Sequence, residues 1–164
     1  MAKLQADQPL IPSVLDRLLD DDPSTLSETP KSRTQVLREL KQSVRRDLEN
    51  LLNTRIRFGL CPPDLVELEV SLASYGIPDL GGIDLGAAHD REGFRRALER
   101  VIGRFEPRFK RVRVEMLATA EPRDRTLRFR IDAMLYAEPA PEPVVFDSSL
   151  QPATGNVEVK GTAL

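Results

Sequence analysis

The spacing of the apolar residues in the long patterned stretches differs on the two sides of Pro107, and this difference constrains the fold more than any other feature. Before Pro107 the apolar residues recur every three or four positions in two stretches, as on one face of an α-helix. After Pro107 they alternate with polar residues, as in a strand with one buried face. The helical stripes are Val36, Leu37, Leu40, Val44, Leu48, Leu51 and Leu52, then Phe94, Ala97, Leu98, Val101, Ile102 and Phe105. The alternating positions are Val112, Val114 and Met116, then Leu127, Phe129, Ile131, Ala133 and Leu135.

Local signals predict where the two helices begin and end. Ser32 and Gln35 form a capping-box pattern, which predicts a helix of about twenty residues with Asn53 as its stop. Asp90 is predicted to cap the second helix. Pro107 disfavours helical geometry at the residue before it, so the second helix should end at Glu106.

The C-terminal part of the chain is predicted to add two strands to the sheet. These are VVFDSSL and GNVEVK, separated by a Pro-Ala-Thr-Gly turn, and residues 137–143 (AEPAPEP) are expected to be an extended spacer outside any central strand. The predicted fold is α+β, with two main helices packed on one face of a mostly antiparallel sheet of about four strands, and an N-terminal acidic helical segment. The final strands should lie at or near an edge, where unpaired backbone groups can accept a strand from another chain.

We divide the chain into an N-terminal segment and linker (residues 1–31), the α+β domain (32–160) and a tail (161–164). In the first segment three leucines lie at helical spacing, namely Leu15, Leu18 and Leu19. Two arrangements remain open for them: they pack onto the domain, or they form a short helix that docks in a groove of a partner.

Residues 61–86 fit two structures. Apolar residues at 66, 68, 70 and 72 alternate with polar ones, which favours a strand. Leu65, Leu68 and Leu72, with Asp64 as a cap, fit a short helix nearly as well, and periodicity cannot decide over so short a run.

Composition indicates a protein of the cytoplasm. The 164 residues include a single cysteine, Cys61, which cannot form an internal disulfide. No apolar run approaches the ~20 residues that cross a bilayer, so no direct membrane insertion is expected. The N-terminus lacks the apolar region of a secretory signal. Arginines are concentrated in residues 91–113 while residues 1–30 are acidic. This asymmetry fits an oriented partner surface, but charge alone favours a solvated helix face.

The residues that usually carry catalysis are scarce. His89 is the only histidine, and the glycines of GIPDLGGIDLG come without the lysine of a phosphate-binding loop. We therefore predict no catalytic site, no metal site and no cofactor. Nucleic-acid binding through the arginine-rich helix is also disfavoured, because the overall net charge is −2 and aromatic residues do not alternate with the bases.

Glu106 and Arg108, on either side of Pro107, are the candidate functional residues. Two residues apart in an extended segment, their side chains project to the same side, and a guanidinium beside a carboxylate favours its ionised form. This opposes the role of a general acid, which needs a raised pKa. The two side chains form either a structural clamp or a docking point for a partner. Glu-Pro-Arg recurs at residues 121–123, so the tripeptide alone is a weak signal.

Several stretches together resemble one family. PSVLDRLLDDDP, SVRRDLENLLNTR, SLASYGIPDL, IGRFEPRFKRVRV and RFRIDAMLYAEPAPEPVVFDSSLQPATGNVEV occur in this order over roughly residues 11 to 160. In this order and spacing they closely resemble the TssE family of type VI secretion baseplate subunits, which is related to the small wedge protein of contractile phage tails.

The resemblance implies an assembly role in the cytoplasm. It implies a position beside TssF, TssG and TssK, help in starting polymerisation of the TssB–TssC sheath, and strand pairing with the first sheath ring. It also places the family's Glu-Pro-Arg motif, as a partner-binding site, on Glu106, Pro107 and Arg108 rather than on residues 121–123. The alternative is a lysozyme-like peptidoglycan hydrolase, which would pair Glu106 or Glu115 with an aspartate across a sugar-binding cleft.

Overall fold

The computed structural model describes residues 13–18, 32–56, 65–79, 87–118, 126–137 and 140–161. The α-helices within these ranges are α1 (Val14–Leu18), α2 (Arg33–Asn53), α3 (Val66–Glu69) and α4 (Ala88–Phe105), with a 3-10 helix at Leu72–Ser74. The strands are β1 (Phe109–Leu117), β2 (Leu127–Leu135), β3 (Glu142–Gln151) and β4 (Asn156–Gly161).

The four strands form one antiparallel sheet in the order β1-β2-β3-β4, so β1 and β4 are its two edge strands. Val114 lies opposite Ile131, and Ile131 lies opposite Phe146. Side chains in such a row point to the same face, and all three are buried. The alternation predicted for β1 and β2 is confirmed.

Both long helices pack on this buried face, α2 against β4 and α4 against β1. A single core contains apolar residues of α2, α4 and all four strands. The predicted α+β fold, with two main helices on one face of a four-stranded antiparallel sheet, is confirmed.

The predicted start of α2 is correct and that of α4 is wrong. Ser32 Oγ accepts a hydrogen bond from the Gln35 amide at 3.3 Å, and Gln35 Oε1 accepts one from the Ser32 amide at 2.9 Å, which completes the capping box. By contrast α4 begins at Ala88, and its N-cap Ala87 makes no side-chain bond. Asp90 lies in the first turn, where a carboxylate favours the helix through the dipole rather than as a cap.

Of the two structures left open for residues 61–86, the helical one is correct where the chain is described. Residues 66–69 and 72–74 are helical, and no strand forms within 65–79. The Leu68 carbonyl accepts hydrogen bonds from the hydroxyls of Ser71 and Ser74, both at 2.8 Å. These local bonds favour turns over an extended ladder.

Pro143 corrects the boundary of the proline-rich spacer. Glu142 and Pro143 are the first residues of β3 and lie opposite Leu135 and Met134 of β2. Because the described part of β4 ends opposite Phe146, this part of β3 has a neighbour on one side only within the described residues. A proline is tolerated at such an edge position. Leu19, Cys61, Asp64 and the second Glu-Pro-Arg (121–123) lie outside the described residues.

Candidate functional site

The junction, which we define as Glu106, Pro107 and Arg108, connects α4 to β1. The Glu106 amide donates the last bond of α4, to Ile102 O at 2.9 Å, and the helix ends there as the sequence predicts. The Glu106 carbonyl then accepts from the Phe109 amide at 3.2 Å, which closes a tight turn. Arg108 O accepts from Tyr136 N at 2.9 Å, so the turn is also attached to the end of β2.

Glu106 and Arg108 form a two-point ion pair. Arg108 Nε lies 2.7 Å from Glu106 Oε1, and Arg108 Nη2 lies 2.5 Å from Glu106 Oε2. Glu106 is only 4% exposed, so this is a pair at the boundary of the core. A fork of this kind fixes direction as well as charge. The sequence predicts that the two side chains project to the same side and leaves open whether Glu106 faces Arg108 or a partner; in the structure it faces Arg108.

The guanidinium of Arg108 also binds α2. Its Nη2 donates to Asp47 Oδ2 at 2.6 Å and its Nη1 donates to Ser43 Oγ at 3.0 Å. Burial lowers the pKa of Arg108, but the bonds and charges of Glu106 and Asp47 outweigh it, so this pKa lies above its ordinary value. Arg108 is a permanent cation that connects α2 to the start of β1.

Asp16 of α1 extends this network. It accepts hydrogen bonds from Ser43 Oγ and from Arg46 Nη2, both at 2.6 Å. Burial raises the pKa of Asp16, but the bonds from Ser13, Ser43 and Arg46 outweigh it and hold the pKa well below its usual range. We call the connected set of six side chains the junction cluster: Asp16, Ser43, Arg46, Asp47, Glu106 and Arg108.

The apolar side of α1 does not pack onto the domain. Val14, Leu15 and Leu18 are 74%, 53% and 75% exposed, while Asp16 makes the contact with α2. Of the two arrangements left open for this segment, packing of the leucines onto the domain is therefore excluded for Leu15 and Leu18.

The outer edge of β4 is covered by side chains of α2. Asn53 Oδ1 accepts from the Val157 amide and Asn53 Nδ2 donates to the Val157 carbonyl, both at 2.8 Å. Glu49 Oε1 accepts from the Val159 amide at 3.4 Å. Arg45 Nη1 donates to the Val159 carbonyl at 3.1 Å. The final strand is at an edge as predicted, but the expectation that its edge is unpaired is wrong at Val157 and Val159.

The outer edge of β1 is covered at one point in the described residues. Glu99 Oε1 of α4 accepts from the Val114 amide at 2.9 Å and is held by Arg95 Nη1 at 2.5 Å. Because backbone groups of alternate residues point to the same edge, the amides of Val112 and Met116 point outward as well. Neither has a hydrogen-bond partner among the described residues.

The comparison with protein families decides the identification. The family described as baseplate wedge protein gp25 matches residues 38–140, which is more than half of the chain. The chain belongs to this family. The matched region begins in α2 and includes the junction, β1 and β2. No curated protein and no solved structure matches the chain.

Family membership assigns this wedge protein a structural role in a phage-tail-like baseplate, among other baseplate components. None of the helices in the described part of the chain has the length and apolar character to cross a membrane. Both carboxylate oxygens of Glu106 are occupied by Arg108, and Glu106 lies beside a guanidinium rather than in an open cleft.

Sequence reasoning missed the α2 members of the junction cluster. Ser43 is a buried polar residue beside Val44 on the apolar face of α2, and this is a signal that the sequence does carry. Nothing in the pattern indicates that its partner is Arg108.

Proposed function

We propose that this wedge protein is the TssE-type subunit of a type VI secretion baseplate. It is a non-enzymatic cytoplasmic scaffold that binds TssF, TssG and TssK and helps to start polymerisation of the TssB–TssC sheath. The family match and the ordered resemblance over residues 11 to 160 support this proposal.

The junction cluster is the structural observation that best supports the proposal. It fixes the conformation of the junction, because its hydrogen bonds attach the α4–β1 turn to the middle of α2. Pro107 is exposed at its tip, while Glu106 is buried behind Arg108. The partner-binding surface we propose is therefore Pro107 with the accessible sides of Arg108 and Asp47, and Glu106 holds Arg108 in place beneath it.

The second proposed contact is the addition of a sheath strand to an edge of the sheet. Backbone pairing of this kind supplies affinity without requiring a pocket. It suits a subunit that nucleates a polymer, because each added strand presents a new edge.

Co-expression with the baseplate subunits tests the proposal. Tagged wild type and a Glu106→Ala, Arg108→Ala double variant would be purified after expression with TssF, TssG, TssK, TssB and TssC. Removing both partners avoids leaving a lone buried charge, so the fold should survive. We expect the wild type to retain all five subunits and the folded double variant to lose the baseplate subunits.

The chain supplies a matched control in its second Glu-Pro-Arg. A Glu121→Ala, Arg123→Ala variant makes the same chemical change outside the junction and should retain every subunit. Equal retention by wild type and the junction variant would remove the docking role while keeping the assembly role. Recovery of none of the five by wild type would refute the proposed function.

An activity assay separates the scaffold from the lysozyme-like alternative. We expect no peptidoglycan turnover by the purified protein. Turnover that disappears in Glu106→Gln or Glu115→Gln would replace the scaffold proposal with a hydrolase.

A further inference from the structure

We propose that the outer edge of β1, together with the flank of α4, is the docking site for an acidic extended segment of a partner protein, which joins the sheet beside β1. This inference deepens the proposed strand addition, and depends on it, by naming the edge and the chemistry of the strand. The alternative edge, at β4, is covered by Arg45, Glu49 and Asn53 at both Val157 and Val159.

The backbone of β1 offers the pairing groups that a strand needs. Over residues 112–116 the outward amides belong to Val112, Val114 and Met116, and within the described chain Glu99 occupies only that of Val114. β1 is regular here, because its one register shift lies earlier, between Phe109 and Arg111. A partner strand can therefore pair over this stretch after displacing a single side-chain bond.

A groove runs along this edge. Its walls are Ala88, Arg91, Glu92, Arg95 and Glu99 of α4 on one side and residues 111–116 of β1 on the other, and its volume is about 710 Å³. We call it the α4–β1 groove. A helix flank beside an unpaired strand edge gives an added strand a surface for its side chains as well as a ladder for its backbone.

The charge of the groove selects an acidic partner. Arg95 is matched by Glu92 and Glu99. Arg91 and Arg111, however, make no ion pair with any described residue. Arg111 lies opposite Met134 of β2, so no carboxylate faces it across the sheet. Opposite charges on neighbouring strands stabilise pairing, so acidic side chains at alternate positions fit this edge.

The other charged residues of β1 that line the groove lie opposite residues of the opposite charge. Arg113 lies opposite Asp132, and Glu115 lies opposite Arg130. The excess positive charge is therefore confined to one end of the groove, around Arg91 and Arg111. This predicts that one half of the incoming strand is more acidic than the other.

A designed peptide tests the site on the full chain. The probe is a capped peptide of about eight residues that alternates valine and glutamate, and its control alternates valine and lysine. Backbone amide NMR shifts of the isotopically labelled protein report where each peptide binds. We expect the glutamate peptide to shift the amides of Val112, Val114 and Met116 and the lysine peptide to leave them unchanged. Shifts at Val157 and Val159 instead, or none at β1, would overturn the proposal.

Variants of the backbone edge sharpen the test. Val112→Pro removes an outward N–H that makes no bond within the described chain, and edge strands tolerate proline at such positions. We expect its affinity for the glutamate peptide to fall about fivefold, the effect of one net hydrogen bond. Val112→Ala keeps the outward amide. Its affinity for the glutamate peptide should therefore stay within about twofold of wild type.

Charge variants cover the case in which Val112→Pro does not fold. Arg111→Glu should lower the affinity for the glutamate peptide at least tenfold. Arg100→Glu makes the same change at an exposed position of α4 outside the groove and should leave this affinity unchanged. Glu99→Ala frees the Val114 amide and should strengthen binding about fivefold, the effect of one net hydrogen bond. Unchanged affinity in both Arg111→Glu and Glu99→Ala would refute the site.

The co-expression experiment distinguishes this failure from failure of the proposed function. If wild type retains the baseplate and sheath subunits but the peptide does not shift β1, the edge assignment is wrong and the assembly role stands. If the peptide shifts β1 but no subunit is retained, the proposed function fails and the docking edge stands.

Discussion

The two edges of the sheet have the same architecture and different side chains. Each edge strand lies under a long helix, β4 under α2 and β1 under α4. At β4 the helix satisfies four outward backbone groups, those of Val157 and Val159. At β1 the helix satisfies one described amide, that of Val114. A helix above an edge therefore does not by itself close it.

The spacing of the covering residues explains the difference. Four residues of a helix advance about 6 Å, and two residues of a strand advance about 6.8 Å. Residues one helical turn apart can therefore follow alternate residues of a strand, as Glu49 and Asn53 follow Val159 and Val157. On α4 the residue one turn before Glu99 is Arg95, whose guanidinium pairs with Glu92 and Glu99 instead of the strand.

The largest expected effect on stability comes from removing Arg108, which connects β1, one edge strand, to α2, the helix that covers the other edge strand. Arg108→Ala leaves Glu106 buried without its cation and detaches the start of β1 from α2. We expect the free energy of unfolding to fall by about 3–5 kcal/mol in denaturant titration. Arg100→Ala, at an exposed position of α4, should change it by no more than ~0.5 kcal/mol. A loss below ~1 kcal/mol for Arg108→Ala would mean that the cluster does not hold the junction.

Asn53→Ala uncovers the β4 edge at Val157. Both the amide and the carbonyl of Val157 would lose their partner, so two hydrogen bonds are removed. We expect a loss of about 1–3 kcal/mol in the free energy of unfolding. Asn50→Ala is the matched control, because Asn50 is exposed on the same helix and makes no side-chain bond to the sheet in the described structure; its effect should stay within ~0.7 kcal/mol. Equal losses in both variants would show that the edge bonds contribute nothing.

An Arg45→Ala, Glu49→Ala double variant tests whether the two edges can be made alike. It uncovers Val159 while keeping the Asn53 bonds, and it should cost about 1–2 kcal/mol. In the NMR experiment we expect the glutamate peptide now to shift the Val159 amide in addition to the β1 amides. If the Val159 amide does not shift, a feature other than these two side chains prevents strand pairing at β4.

The smallest expected change in stability is that of Glu99→Ala. The Val114 amide loses one side-chain acceptor, whereas Asn53→Ala removes two hydrogen bonds. We expect a loss of about 0.5–1 kcal/mol in the free energy of unfolding. A loss as large as that of Asn53→Ala would contradict the contrast between the two edges, since it would make Glu99 as important to β1 as Asn53 is to β4.

Features that depend on neighbours in sequence could be predicted correctly. The capping box at Ser32 and Gln35, the helix end at Glu106 before Pro107, and the projection of Glu106 and Arg108 to the same side all involve residues one to three apart. The family resemblance could also be recognised from the sequence, because it consists of short local stretches in a fixed order. Residues 66–74 were ambiguous even locally, since a run this short satisfies both periods.

Features that depend on distant pairing could not be predicted. Asn53 was foreseen as a helix stop and α2 does end there, but its bonds to Val157 join residues 104 positions apart. The boundary at Pro143 was missed because it depends on where β4 ends. Ser43 and Asp47 bind Arg108 from 65 and 61 positions away in the sequence. The junction residues could therefore be predicted from the sequence, but their partners on α2 could not.

The sequence by itself determined the α+β class, the helix faces, the strand alternation and the Glu-Pro-Arg turn, because each follows from steric and polar preferences within a few residues. Only the tertiary structure decided which edge of the sheet is covered and what holds Arg108. Both depend on the offset between a helix and a strand far apart in the chain, and packing of the whole core sets that offset. No local pattern encodes it.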